Sequence, residues 1–113
     1  MLARMNKCQN IIECGTSFGL STIYLALAVG QNVSGPNHDN CGITTIEKDS
    51  TKVEAAKKIW ARAGPEVDDW IHPRQGDLLE ILQEGQGLPQ TIDMLFLDGK
   101  AIPIPPASRV ELY

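Results

Sequence analysis

One hundred and thirteen residues, 42% hydrophobic and 21% charged with a net charge of −4, set the expectation of one globular domain with a single modest core. The negative balance excludes a surface built to grip nucleic-acid phosphates, which requires clustered Lys and Arg. No apolar run approaches the roughly 20 residues needed to cross a bilayer, which excludes a membrane span.

The first pattern is an apolar run that reaches an acid, meets two glycines and passes into a helix: Asn10, Ile11, Ile12, Glu13, Cys14, Gly15, Thr16, Ser17, Phe18, Gly19, Leu20. It predicts a strand, a ligand-binding turn and a helix. Gly15 suits a positive φ or close approach of a ligand to the main chain, and Gly19 suits close packing of helix on strand. Thr16 or Ser17 can cap the helix, whose first amides are donors for a carboxylate or a ribose. A dinucleotide fingerprint needs G-x-G-x-x-G. Here Ser17 stands where the middle glycine belongs, so a nucleoside without a pyrophosphate fits better than NAD.

Leu20, Ile23, Tyr24, Leu27 and Ala28 then recur at helical spacing and predict the face that packs on a sheet, with Gly30 and Gln31-Asn32 closing the helix. Asn32 to Gly42 is rich in turn residues and predicts an exposed loop. Ile43 to Ile46, β-branched and ending on Glu47, predicts a second strand. Thr51 and Glu54 match a capping box. Val53, Ala56, Trp60 and Ala63 trace an apolar stripe up to the stop at Gly64-Pro65. Lys48, Lys52, Lys57, Lys58 and Arg62 are interleaved with Glu47, Asp49 and Glu54, the pattern of a solvated helix face.

Trp70 to Gln75 predicts an edge strand, because Pro73 removes a ladder donor. Asp77, with Glu80 three residues later, predicts the capped start of a short helix ended by Gly85 and Gly87. Ile92 to Asp98 is almost continuously apolar, the pattern of a parallel strand buried on both faces. The order is βαβαβαβ, an α/β fold with a parallel sheet, right-handed crossovers and ligands at the carboxyl ends of the strands. Residues 1–98 form this domain. Residues 99–113, with Pro103, Pro105 and Pro106, predict an extended or disordered tail.

Cys8, Cys14 and Cys41 are an odd number without metal-ligand spacing, and no signal-peptide pattern stands at the amino terminus. The expectation is a cytoplasmic chain with free thiols, Cys14 serving as a small buried filler. His38 and His72 are expected at the surface.

Glu13 to Gly19, Glu47, Gly76-Asp77 and Asp98 fall on one rim of this sheet. With them the chain resembles the class I S-adenosylmethionine-dependent methyltransferases, in particular the small-molecule O-methyltransferases of catechol O-methyltransferase type. The resemblance covers about residues 10 to 98. It implies a partial Rossmann-like sheet with strand order 3-2-1-4 and S-adenosylmethionine as cofactor. Glu13, Gly15, Thr16, Ser17 and Gly19 would surround its methionine and ribose, Glu47 would accept from the ribose hydroxyls, and Asp77 would hold the adenine amino group. Phe18 is read as a core residue, with stacking on the ligand as the alternative.

Asp98 binds a divalent cation in metal-dependent relatives, which carry a lysine three positions further on. Here Ala101 occupies that place and Lys100 lies one residue earlier, so no metal ligand is assigned. Asp98 and Lys100 remain weak catalytic candidates, and Asp98-Gly99 reads equally as a turn closing the strand. The family's later strands and its preceding lid helices are expected to be missing. That leaves Ile92 to Leu97 as an open edge, to be covered by a second copy, a full-length methyltransferase partner or the chain's own proline-rich tail. The implied activity is methyl transfer to a small-molecule hydroxyl. The alternatives are a non-catalytic interaction module and a protein recruited to an isomerisation or cyclisation.

Overall fold

A computed structural model describes residues 10–16, 18–32, 41–85, 88, 92–97 and 100–103, the last four and Asn32 by backbone alone. Five strands and four helices alternate along it: β1 (Asn10–Cys14), α1 (Leu20–Asn32), β2 (Gly42–Glu47), α2 (Ser50–Ala63), α3 (Pro65–Asp68), β3 (Ile71–Gln75), α4 (Leu78–Glu84), β4 (Met94–Leu97) and β5 (Lys100–Pro103). The sheet order is β3-β2-β1-β4-β5. The first four strands are parallel in the expected 3-2-1-4 order, and β5 pairs antiparallel with β4, Leu97 opposite Lys100 and Met94 opposite Pro103. Among the three covers expected for the Ile92–Leu97 edge, the chain's own tail is the one observed. Pro73 sits on β3 at the opposite edge, where its missing N–H leaves no neighbour unpaired.

Alternation along each strand divides the core in two. Ile11, Ile43 and Met94 pack with Leu25, Val29 and Trp60 under α1, α2 and α3. Ile12 and Ile46 pack on the other face with Ile81, Leu88 and Ile92 beneath α4. Each large side chain so buried contributes about 1.5–3 kcal/mol. Cys14 is half-buried against the second cluster rather than fully inside it, and neither it nor buried Cys41 is in a disulfide.

Two local expectations are corrected. The buried face of α1 is Thr22, Leu25, Ala26, Ala28 and Val29, whereas Leu20 and Tyr24 are 64% and 63% exposed. The helix is apolar nearly all round, so spacing alone left its rotation undecided; the hydroxyl of Thr22 fixes it, as described below. The helix runs to Asn32, within the Gly30–Asn32 stretch expected to close it, and the Trp70 indole fills the space a side chain on Gly30 would need, 2.7 Å from an ideal Cβ. The cap of α2 is Asp49, whose carboxylate accepts from the amides of Thr51 and Lys52 at 2.9 and 3.4 Å; Thr51 lies inside the helix. A carboxylate at a helix start outcompetes a hydroxyl because it also meets the positive end of the dipole. Gly64 ends α2 at φ 95, as expected, and Pro65 then opens the additional turn α3.

Candidate functional site

The carboxyl ends of β1, β2 and β3 are joined by backbone bonds into one continuous rim. Gly15 and Thr16 both donate to the carbonyl of Ile46, at 2.8 and 3.4 Å, and Gly76 donates to the carbonyl of Glu47 at 3.0 Å. The turn after β1, the acid ending β2 and the turn after β3 are therefore held side by side, as the sequence predicts. Ser17 and Asp98 lie outside the described residues, and so does the side chain of Lys100.

Gly15 and Gly19 serve different ends. Both have positive φ, 89 and 87, which side-chain-bearing residues rarely adopt. Among the described residues a Cβ on Gly15 would meet nothing within 4 Å, and its backbone is exposed. A Cβ on Gly19 would stand 2.7 Å from Trp60 Nε1 and 2.9 Å from Ala56 Cβ. Gly19 thus packs on α2, a helix, instead of on the strand expected from the sequence. The turn between them is closed by Gly19 N–H donating to the Thr16 carbonyl at 3.0 Å.

Glu13 does not face the rim. It shares the parity of Ile11 along β1, points into the α1 layer and is 1% exposed. Its Oε2 accepts from Ser21 Oγ at 2.6 Å, and its Oε1 accepts from Thr45 Oγ1 at 2.7 Å and from the Thr22 hydroxyl. Thr16 Oγ1 lies 2.5 Å from Thr45 Oγ1. Thr45 has one hydroxyl proton and gives it to Glu13, so Thr16 is the donor in that pair. The buried carboxylate is thereby held by hydroxyls from α1 and β2, and Thr16 turns its side chain into the sheet.

Two further acids stand at the rim. Glu47 is half-buried, and its Oε2 accepts from the amide of Asp49 at 3.0 Å. Asp77 caps α4 as predicted, its Oδ2 accepting from Leu79 and Glu80 amides at 3.1 and 3.3 Å. A carboxylate has about four lone-pair sites, so Asp77 keeps acceptor capacity beyond its two cap bonds. Phe18 is 57% exposed beside the turn, which corrects its assignment to the core. His72 is exposed, as expected, and His38 lies outside the described residues.

Sequence reasoning missed Ser21, Thr22, Thr45 and Trp60. The signal for Thr22 was a polar residue inside an otherwise apolar helix. Thr45 shows in its shared parity with Ile43 on β2, opposite Glu13 in the β1–β2 register.

The family profile described as "Methyltransferase domain" matches residues 12–104. A catechol O-methyltransferase of Niastella koreensis is 32% identical over 107 residues, covering 91% of this chain and 42% of that protein. Among solved structures, the O-methyltransferase TomG of Streptomyces achromogenes, involved in tomaymycin synthesis and determined in complex with SAM, superposes with a TM-score of 0.70. It is 32% identical, over 86% of this chain and 40% of its own. Cofactor-bound Rv0187 from MTB gives a TM-score of 0.68 at 29% identity, over 85% and 38%. The chain spans about two fifths of the length of these relatives.

Proposed function

The chain belongs to the methyltransferase domain family, and from that premise we propose that it binds S-adenosylmethionine at the rim formed by Gly15, Glu47 and Asp77. The observation that carries this reading is the contrast between the two glycines: Gly19 is filled by packing on α2, while a side chain on Gly15 would meet nothing within 4 Å among the described residues, on a turn bonded to the strand that ends in Glu47. Glu47 is suited to accept from both ribose hydroxyls, and Asp77 from the adenine amino group through the acceptor capacity its cap leaves over. Gly15, Thr16 and Ser17 would border the methionine and ribose, with Thr16 contributing backbone, since its hydroxyl is turned inward. Glu13 and Gly19 act through the shape of the turn. When bound, the cofactor supplies an electrophilic methyl group on a sulfonium.

The activity proposed is transfer of that methyl to the hydroxyl of a small molecule, with Asp98 and Lys100 as the catalytic candidates. Residence in the cytoplasm follows as an expectation from the three thiols; among the described residues no helix is long and apolar enough to cross a membrane. Pairing with a second copy or a longer methyltransferase through Ile92–Leu97 would have to displace β5.

Titration calorimetry with S-adenosylmethionine and S-adenosylhomocysteine tests the binding half. Heat with both, much reduced in Glu47→Ala, is the expected result; no heat with either overturns the reading. A screen of hydroxylated acceptors with a labelled methyl donor tests transfer, and native mass measurement tests association.

A further inference from the structure

Trp60 lies on α2, forty-one residues from the glycine turn in sequence, and is 1% exposed. Its indole N–H donates to the carbonyl of Gly19 at 3.0 Å inside the protein. That same carbonyl accepts the first helical bond of α1, from the amide of Ile23 at 3.3 Å. The ring also fills the volume that any side chain on residue 19 would need.

One residue therefore sets both the position and the orientation of the peptide that ends the turn. Gly19 in turn closes back on Thr16, and Thr16 and Gly15 hang from Ile46 on β2. The turn is anchored at one end by the sheet and at the other by Trp60.

From this geometry we infer that Trp60 is a positioning residue for the cofactor: its indole N–H holds the Gly15–Gly19 turn in the shape that receives the ligand. The inference rests on the cofactor reading given above. A phenyl ring in this place would keep part of the packing and lose the donor. The carbonyl of Gly19 would then have only Ile23 as partner, and the turn would be free to rotate about its positive-φ glycines. A buried hydrogen bond of this kind is commonly strong enough to alter an equilibrium constant about 3- to 10-fold.

The decisive variant replaces Trp60 with 3-benzothienylalanine, which keeps the shape of the bicyclic ring and exchanges N–H for sulfur; Trp60→Phe is made alongside. Two quantities are read: S-adenosylhomocysteine affinity by calorimetry, and hydrogen exchange of the turn amides in the ligand-free protein. The expected result is binding about 3- to 10-fold weaker, with faster exchange confined to the turn and the start of α1 and the thermal transition still cooperative. Equal affinity in parent and isostere overturns the inference while leaving the cofactor reading in place. Unchanged turn exchange also overturns it. A parent chain that takes up no S-adenosylhomocysteine overturns both together. Should the Phe variant fail to fold, the isostere decides.

Discussion

Thr45 on β2 gives its only hydroxyl proton to Glu13 on β1, 2.7 Å away, and in doing so makes Thr16 a donor to Thr45. The acid near the end of the first strand is thus the hub of a buried network joining β1, β2, α1 and the ligand turn. Its removal should register first in stability. Glu13→Gln introduces an amide donor among hydroxyls that all donate, and we expect a loss of about 1–3 kcal/mol in denaturant unfolding. Thr22→Val should cost a similar amount, and the double variant less than the sum, since the two share one bond.

Substitution of the two glycines should separate conformation from packing. Gly15→Ala places a methyl in open space at φ 89, so we expect strain of about 1–3 kcal/mol, a folded chain and weakened S-adenosylhomocysteine binding. Gly19→Ala adds a collision with Trp60 and Ala56 to the same strain and should cost at least about 1–3 kcal/mol more. Thermal unfolding and calorimetry on the pair distinguish the two effects; equal stability losses would contradict the assignment.

Helix caps offer a direct check on α2 and α4. Asp49→Ala and Asp77→Ala should each lower stability by about 0.5–2 kcal/mol, whereas Thr51→Ala should be close to neutral. Asp77→Asn should retain the cap and weaken cofactor binding, because half of the side chain becomes a donor.

Cys41 is buried, and desolvation, followed by the charge of Asp93, raises its thiol above the ordinary value of 9.0. Burial holds the neutral form in the folded state, so its contribution is fully present below the unfolded value. It is lost as the pH rises from there through the higher folded value, where the unfolded chain releases its proton first. Thermal unfolding of the parent should therefore fall more steeply above pH 9 than that of Cys41→Ala.

The outward face of α1 carries Leu20, Tyr24 and Leu27, all exposed among the described residues. Leu20→Lys and Tyr24→Lys should leave stability within about 0.5 kcal/mol. Leu25→Ala, one residue along, should cost about 2–5 kcal/mol. Urea midpoints of the three variants suffice as the check.

Much of this architecture is legible in the residues. Ile11-Ile12 and Ile43 to Ile46 are strand patterns whatever surrounds them, Pro73 marks an edge, and Asp77 with Glu80 marks a helix start. The rotation of α1 was not legible, because Ile23 to Val29 are apolar without a break and such a run has no preferred face. Tertiary hydrogen bonding decided it, through Thr22. The role of Glu13 was half legible: its parity with Ile11 points it away from the rim, but its hydroxyl partners come from two separate segments, α1 and β2. Asp49 was overlooked because a capping-box pattern starting two residues later, at Thr51, competed with it. Strand β5 was hidden by its prolines, which read as an extended tail but not as a ladder partner.

The placement of β1 has a consequence for biosynthesis. It leaves the ribosome early, yet it is the middle strand, and one of its flanks is completed only by residues such as Asp93, 83 positions later, which exchanges bonds with Asn10 at 2.8 Å in both directions. At common translation speeds of 5–20 residues per second that flank waits roughly 4–16 s for its neighbour. During that interval Ile11 and Ile12 can pair with any strand that arrives first, which makes the nascent chain, more than the finished protein, the state most exposed to mispairing.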